Sequence, residues 1–159
     1  MPKRSAGLLL YRRGVDELEV LLVHPGGPYW VAKDDGAWSV PKGEYEVDDD
    51  PLAVAIREFG EELGVDPPDA SAAAFLGESR QPGGKVVSVW ALEGDADVSD
   101  IESNTFTMEW PPRSGRTAEF PEVDRAGWFD AAAARRRLLR GQVPFLDRLA
   151  SMLDGRAEA

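Results

Sequence analysis

Two stretches near the start of the chain are apolar almost without interruption. They comprise residues 5–11 and 18–24, and residues 12–16 between them contain the charged side chains and the glycine of a hairpin turn. A strand with one face in water alternates between apolar and polar positions, and neither stretch shows that alternation clearly. The pattern therefore predicts two central strands in a sheet that is covered on both faces.

Further apolar stretches are separated by turn-forming residues along the rest of the chain. Residues 74–81 and 85–92 flank Pro82-Gly83-Gly84, which predicts a second hairpin. The remaining predicted elements are strands at 106–110 and 127–129, helices at 131–140 and 143–153, and loops at 25–37 and 113–122. This mixture of strands and helices indicates an α/β or α+β fold.

The most regular pattern in the chain predicts a helix over residues 51–63. Asp50 suits the N-cap, Pro51 the first helical position, and Gly64 the left-handed conformation that ends many helices. At about 100° per residue, an apolar stripe and an acidic arc lie on nearly opposite sides. The stripe is Leu52, Ile56, Phe59 and Leu63, and the arc is Glu58, Glu61 and Glu62. Gly60 is expected to mark a close approach of the helix to the sheet.

The three glutamates of this helix allow two interpretations. Like charges three or four positions apart destabilise an isolated helix by about 0.2–0.5 kcal/mol per pair, and Arg57 neutralises only part of the cluster. One interpretation is a solvated acidic face. The other is a site for hard divalent cations, which take oxygen ligands and bind phosphates readily.

Length and composition limit the class of protein. The chain has 159 residues, of which 43% are hydrophobic and 30% charged, as expected for one globular domain over residues 1–159. No uninterrupted apolar run approaches the ~20 residues of a membrane-spanning helix, and only a short apolar run follows the first five residues. We therefore expect a cytoplasmic protein without a membrane partner.

Charge and residue usage exclude several kinds of site. The formal net charge of −11 argues against an extended surface for a nucleic-acid duplex, which requires lysine and arginine. A small phosphorylated molecule remains possible where metal ions reverse the field locally. Cysteine is absent, which excludes disulfides, thiolate nucleophiles and cysteine zinc sites. The single histidine, His24, is expected to be structural because it lacks the partners that zinc sites and catalytic triads need.

The full spacing around the helix favours the cation site. Residues 43–65 run from Gly43 through Asp49 and Arg57-Glu58 to Glu61-Glu62 and Gly64-Val65. This segment resembles the Nudix hydrolase signature, G-x5-E-x7-R-E-U-x-E-E-x-G-U, in which U is an aliphatic or bulky apolar residue. Two positions differ from the usual pattern: Asp49 replaces a glutamate, and Phe59 is aromatic where an aliphatic residue is commoner.

This resemblance implies the Nudix fold, a mixed β-sheet sandwiched between α-helices. It also implies a pyrophosphohydrolase that cleaves a nucleoside diphosphate linked to another moiety and that needs Mg²⁺ or Mn²⁺. The implied metal ligands are Glu58, Glu61, Glu62 and the main-chain carbonyl of Lys42. Arg57 would orient the acids, and Asp49 would pair with Arg57 and brace the preceding loop.

The resemblance leaves the general base open. It lies in the helix cluster, with Glu61, in some members of the family, and on a later loop in others. Glu119 and Glu122 are the candidates for that loop, and we favour Glu119 because Glu122 lies in a probable turn. The predicted catalytic residues are thus Glu58, Glu61, Arg57 and Glu119.

Other side chains are candidates for binding the substrate. Lys42 follows a Trp-Ser-Val-Pro run that resembles Nudix enzymes acting on dinucleoside polyphosphates, and its ammonium suits a phosphate. Lys85 and Arg116 are further candidates for phosphate contacts. Trp30 could stack on a base or cover the edge of the core, whereas Trp38 is expected to belong to the core edge.

One alternative function comes from another class. A nucleotide-binding sensor could keep the Nudix fold without useful catalysis, although the intact glutamates favour the enzyme. Dinucleoside polyphosphates, nucleoside triphosphates and nucleotide sugars would all satisfy the catalytic strip. The sequence leaves the particular nucleotide, the number of metal ions and the oligomeric state open.

Overall fold

Two long antiparallel strands form the centre of the protein, and the computed structural model describes residues 2–14 and 17–158. Strand β1 (Arg4–Arg13) pairs with strand β2 (Leu18–Pro25), with Arg13 opposite Leu18. Both strands are buried along most of their length, which confirms the two predicted central strands. Within the predicted turn, Val15 and Asp16 lie outside the described residues.

The remaining elements follow in chain order. They are strand β3 (Lys42–Tyr45), helix α1 (Pro51–Leu63), strands β4 (Ala74–Arg80), β5 (Val86–Glu93), β6 (Thr105–Glu109), β7 (Thr117–Pro121) and β8 (Val123–Asp130), and helices α2 (Ala131–Arg137) and α3 (Pro144–Glu158). Short 3-10 turns lie at Ala70–Ala72 and Arg140–Gln142. The second predicted hairpin is confirmed as β4 and β5.

A mixed sheet of six strands organises these elements. Its order is β4-β5-β1-β2-β8, and β3 pairs with the first part of β1. Strand β1 is parallel to β5 and antiparallel to β2 and β3. Strands β6 and β7 form a separate two-stranded hairpin. This mixed sheet with its helices confirms the predicted fold class.

The two faces of the sheet carry separate apolar cores. On one face, residues of β1 and β2 pack against α1; the cluster comprises Ala6, Leu8, Leu10, Leu21, Val23, Val54, Ala55, Phe59, Leu63, Leu92 and Val123. On the other face, Leu9 and Tyr11 of β1 belong to a cluster that includes Phe145 and Leu149 of α3. Successive residues of a strand point to opposite faces, so β1 contributes to both cores.

Local signals set the ends of helix α1 as predicted. The side chain of Asp50 accepts a hydrogen bond from the Leu52 N–H at 3.3 Å, and Pro51 begins the helix. Gly64 ends the helix in the left-handed conformation, with φ 75°, and its N–H donates to the carbonyl of Gly60. The helix therefore spans Pro51–Leu63, the predicted range.

The buried face of α1 differs from the predicted stripe. Leu52 and Ile56 are only partly buried, whereas Val54 and Ala55 are buried with Phe59 and Leu63. Positions seven residues apart lie within about 20° of each other on a helix. Because Ala55 faces the sheet, Glu62 also faces inward, and the acidic arc is not opposite the core.

The explanation predicted for Gly60 is wrong. A Cβ atom on Gly60 would meet Asp66 Oδ1 at 3.5 Å and the Val65 carbonyl oxygen at 4.0 Å, both ordinary contacts, and no sheet atom within 4 Å. Gly60 lies on the flank of α1 near its C-terminal end rather than between the helix and the sheet. Close packing therefore does not account for this glycine.

Two strands were not predicted, and two helices end at other residues than predicted. Residues 117–121 of a predicted loop form β7, which pairs with β6, and the short strand β3 was not predicted. Helix α2 ends at Arg137 rather than at residue 140, and α3 extends to Glu158. None of the helices in the described part of the chain has the length and apolarity to cross a membrane.

Candidate functional site

Glu58 lies directly over Gly43, where β3 passes beneath helix α1. A Cβ atom on Gly43 would overlap the carboxylate of Glu58, so a larger residue would displace this acid. The side chain of Glu58 is 14% exposed. Burial and the neighbouring Glu61 raise the pKa of Glu58, and the Arg57 guanidinium opposes that shift. The glycine that opens the sequence signature thus provides the space for an acid on the helix.

Glu62 is the most deeply buried acid of the helix, with 9% exposure. Burial raises its pKa to about 8; the Lys42 charge and a hydrogen bond with the Lys42 backbone oppose the shift, and Glu58 and Glu122 add to it. Its Oε2 has no hydrogen-bond partner among the described residues. Buried polar atoms usually have partners, so this oxygen indicates a place for a ligand.

Glu61 is the outermost of the three acids. Its side chain is 38% exposed, and its Oε1 lies 3.6 Å from Nε of Arg57. Nη2 of Arg57 lies at the same distance of 3.6 Å from Oε1 of Glu58. Arg57 therefore connects two of the predicted metal ligands, as expected for a residue that orients them.

The contact predicted between Asp49 and Arg57 is absent. No ion pair within 4.0 Å joins them among the side chains that the structure describes. Oδ2 of Asp49 instead accepts a hydrogen bond from the Glu46 N–H at 2.9 Å, within its own turn. The shorter acid satisfies a local turn, and the bracing of Arg57 comes from Glu58 and Glu61.

The oxygen atoms of these residues are of the kind that binds a hard cation, but the acidic side chains do not meet at one point. Within residues 2–14 and 17–158, no three acidic or histidine side chains lie close enough together to form a ready metal centre. Carboxylate and carbonyl oxygens are nonetheless the ligands that Mg²⁺ prefers, and Glu62 Oε2 is free to bind one. By the chemistry of their oxygen atoms, these residues fit a divalent cation.

Lys42 faces these acids from strand β3. Burial and the nearby Lys85 lower the pKa of the Lys42 ammonium, while Glu62, Glu44 and Glu58 oppose the shift. Lys85 itself forms an ion pair with Glu44, with 3.1 Å between Nζ and Oε1. Of the three predicted phosphate contacts, Lys42 thus lies at the carboxylates and Lys85 is paired with Glu44.

A cavity of about 220 Å³ opens beside Glu62 and Lys42. Its wall also includes Ser39 and Val40, which precede β3, and Glu122, which lies between β7 and β8. We call it the carboxylate cavity. Glu122 is therefore the later glutamate that the fold brings to this cluster, and it also raises the pKa values of Glu58 and Glu62.

The structure does not bring Glu119 to the carboxylate cavity. Glu119 is exposed and pairs with Thr107 across the β6-β7 hairpin, on the face opposite Phe106 and Phe120. Arg116 is exposed in the turn of the same hairpin and lines neither this cavity nor the pocket beside it. The sequence could not distinguish Glu119 from Glu122, because strand β7 was not predicted.

A second pocket, of about 440 Å³, adjoins the carboxylate cavity and shares Pro25 and Glu122 with it. We call it the aromatic pocket. Its other lining residues come from the loop after β2 and from β6: Gly26, Gly27, Pro28, Tyr29, Trp30, Phe106 and Met108. Aromatic residues in the glycine- and proline-rich loop signalled part of this wall, but Phe106 and Met108 carried no functional signal.

The two tryptophans of the early loop have different surroundings. Trp30 is half-buried and packs against the core, as one predicted alternative has it, and it also lines the aromatic pocket, where stacking on a base stays a prediction. Trp38 is buried at 5% exposure and donates a hydrogen bond from Nε1 to Asp34, as expected for a core-edge residue. His24 is fully buried between Asp124 and the Lys33 carbonyl, and it is structural as predicted.

Comparisons with known proteins agree with this geometry. The family model described as NUDIX domain matches residues 1–149. No curated protein matches the sequence. Among solved structures, the NUDIX domain of Shewanella oneidensis NrtR complexed with ADP ribose is similar, with a TM-score of 0.66 and 16% identity over 96% of this chain and 89% of that one.

Two further solved structures show the same fold. The binary complex of C. elegans Ap4A hydrolase has a TM-score of 0.64 and 21% identity over 96% of this chain and 98% of that one. A mutT/nudix family protein from Listeria innocua has a TM-score of 0.63 and 16% identity over 98% and 97% of the two chains. The chain belongs to the Nudix hydrolase family, whose members act on phosphoric anhydrides.

Proposed function

We propose that this protein hydrolyses the pyrophosphate bond of a small nucleotide, a nucleoside diphosphate linked to another group, with Mg²⁺ or Mn²⁺ as cofactor. The observation that supports this most strongly is the buried Glu62 carboxyl, which has a free Oε2 in a cavity with Lys42. Nudix enzymes generally use divalent metal ions, usually Mg²⁺. A buried acid with an unused oxygen is costly unless it binds something.

The residues in and beside the carboxylate cavity have separate roles. Glu58, Glu61, Glu62 and the main-chain carbonyl of Lys42 would hold the cation, which neutralises phosphate charge and lowers the pKa of a bound water. Arg57 keeps Glu58 and Glu61 in place, because its guanidinium lies 3.6 Å from both carboxylates. The Lys42 ammonium balances charge on the phosphates, for which a compact cation is suited.

The attacking water needs a group that accepts its proton. Glu122 is exposed and lies where the carboxylate cavity meets the aromatic pocket, so water can reach its carboxylate. We assign the proton-accepting role to Glu122 in place of Glu119, which faces away. Glu61 is the alternative within the helix, and the kcat-pH profile of Glu122→Gln separates the two, because a wild-type profile in this variant would leave the role to Glu61.

The aromatic pocket would hold the nucleoside part of the substrate. Its aromatic and apolar walls suit a planar base, and Trp30 offers a half-buried ring beside the carboxylates. Two similar structures support a nucleotide: one was solved with ADP ribose, and the other is named an Ap4A hydrolase. The dinucleoside polyphosphates, to which the latter substrate belongs, are one candidate class for this protein.

A hydrolysis panel tests the proposal. Dinucleoside polyphosphates, nucleoside triphosphates and nucleotide sugars would be incubated with Mg²⁺, with Mn²⁺ or with EDTA, and both products followed. We expect metal-dependent cleavage of at least one class, its loss in Glu61→Gln, and its retention in the exposed control Glu46→Gln. Tight calorimetric binding of a nucleotide without cleavage would instead support a sensor.

A further inference from the structure

Gln142 is a fully buried polar residue that the sequence did not single out. It ends the 3-10 turn Arg140–Gln142, just before helix α3. Its Oε1 accepts a hydrogen bond from the Val40 N–H at 2.9 Å, and its Nε2 donates one to Ser39 Oγ at 3.0 Å. One amide side chain thus holds two consecutive residues that are about 100 positions away in the sequence.

The turn that carries Gln142 is fixed from two sides. Along the segment between β2 and β3, the Trp38 N–H donates to the Arg137 carbonyl at 2.9 Å, and the Leu139 N–H donates to the Trp38 carbonyl at 2.8 Å. On the other side, Ser79 Oγ of β4 donates to the Gly141 carbonyl at 2.5 Å. The amide of Gln142 is therefore presented from a rigid support rather than from a mobile loop.

The residues that Gln142 holds form part of the carboxylate cavity. Ser39 and Val40 line it together with Lys42 and Glu62. Lys42 follows Val40 by two residues, and its charge and its backbone both oppose the rise that burial causes in the pKa of Glu62. A shift of Val40 would therefore move the backbone and the ammonium of Lys42 relative to Glu62.

A glutamine is well suited to this position. Its neutral amide offers an acceptor to the Val40 N–H and a donor to Ser39, whereas a glutamate would lose the donor and add a buried negative charge. An apolar side chain would leave the buried Val40 N–H without its partner. Burial raises the pKa values of Glu58 and Glu62, and the charge of Glu122 adds to both shifts, so a neutral group at position 142 also avoids further repulsion.

We propose that Gln142 is a positioning residue for the catalytic centre: its amide fixes Ser39 and Val40, and thereby places Lys42 against Glu62 for binding of the divalent cation. This inference rests on the proposed function of the carboxylate cavity. Partners that orient metal ligands typically change metal affinity or activity by about 10- to 100-fold when they are mutated.

The test compares Gln142→Met with the wild-type full-length chain. Binding of Mn²⁺ is measured by electron paramagnetic resonance, alongside thermal unfolding, kcat and KM. We expect Mn²⁺ affinity and kcat to fall about 10- to 100-fold with an unchanged KM for the nucleotide. Leu149→Ala, a substitution on α3 within the apolar core that also contains Val40, serves as a control that removes stability while keeping the amide of Gln142.

Several outcomes would overturn the inference. One is a folded Gln142→Met variant that binds Mn²⁺ with wild-type affinity. Another is a Leu149→Ala variant that loses as much Mn²⁺ affinity as Gln142→Met does. If Gln142→Met does not fold, Ser39→Ala carries the test, because it removes one of the two amide contacts and should weaken Mn²⁺ binding in the same direction. Normal binding in Ser39→Ala would then refute the inference.

The Mn²⁺ measurement also separates this inference from the proposed function. Weaker Mn²⁺ binding in Gln142→Met, combined with no cleavage by the wild-type protein on the substrate panel, would leave the positioning role intact and reject the hydrolase. Cleavage by the wild type, together with unchanged Mn²⁺ binding in Gln142→Met, would reject the positioning role alone. A wild-type protein that does not bind Mn²⁺ would reject both.

Discussion

The carboxylate cavity and the aromatic pocket meet at Pro25 and Glu122 but are built in opposite ways. The carboxylate cavity is lined by the buried acid Glu62, the exposed acid Glu122 and Lys42, and strands β2, β3 and β8 of the central sheet supply part of its wall. The aromatic pocket lies between the loop after β2 and the separate β6-β7 hairpin, which pairs with no strand of the main sheet. The first region suits bond cleavage, and the second suits recognition.

Because the two regions differ in this way, we expect substitutions in them to change different kinetic constants. Interactions that strengthen only in the transition state change kcat, whereas contacts made equally in the bound state change KM. Substitutions in the carboxylate cavity should therefore act on kcat and on metal dependence. Substitutions in the aromatic pocket should act on KM and on the choice of nucleotide.

The largest effect is expected for Glu62→Gln, which would remove a proposed metal-binding oxygen while keeping the size of the side chain. Loss of several kcal/mol of transition-state stabilisation corresponds to a fall in kcat of about 10³-fold. Steady-state kinetics in saturating Mg²⁺ measures this. A kcat within tenfold of the wild type would show that Glu62 is not part of the catalytic centre.

The next effect concerns the two glycines at the signature helix. Gly43→Ala places a methyl group on the Glu58 carboxylate and should lower kcat by about 100-fold. Gly60→Ala is the matched control, because its methyl group finds ordinary contacts. It should keep full activity and stabilise the protein by about 1 kcal/mol in urea unfolding. Equal activity of the two variants would contradict the role of Gly43.

A smaller effect is expected in the aromatic pocket. Stacking on a base contributes about 1–3 kcal/mol, so Trp30→Ala should raise KM by about 5- to 150-fold with little change in kcat. Phe75→Ala provides the control, since Phe75 is an exposed aromatic residue that lines neither region. A Trp30→Ala variant with the wild-type KM would show that the base does not bind in this pocket.

The last effect is on stability rather than on the kinetics of either region. Because burial raises the pKa of Glu62 to about 8, its contribution is present in full below the unfolded pKa, near 4.5, and is lost as pH rises through about 8. Without metal, unfolding free energy should fall by about 3 kcal/mol between pH 5.5 and 8.5 relative to Glu62→Gln. Chemical denaturation in EDTA measures this, and parallel pH curves for the two proteins would refute it.

The two regions also differ in how far the sequence predicted them. The caps of α1 and the spacing of Glu58, Glu61 and Glu62 are local features, and the helix forms where they predict. The direction in which the helix faces is tertiary: it is set by packing of Ala55 and Phe59 on the sheet, which turns Glu62 inward. The burial of this acid was therefore not predictable from amphipathicity alone.

The aromatic pocket depends on contacts between distant segments. Alternation along β6 indicates that Phe106 and Met108 share a face, but the loop that this face meets lies about 80 residues earlier. The choice of Glu122 over Glu119 likewise depends on the pairing of β6 with β7. Neither the pairing nor the position of this hairpin is encoded by a local pattern.

One measurement tests the division between the two regions most directly. The experiment is single-turnover hydrolysis of a nucleotide that the protein cleaves. The enzyme is in excess over the nucleotide and at a saturating concentration, so binding of the nucleotide no longer limits the rate. Trp30→Ala should then recover a rate constant close to that of the wild type, whereas Glu62→Gln should stay about 10³-fold slower. A Trp30→Ala variant that remains slow, or a Glu62→Gln variant at the wild-type rate, would contradict the account.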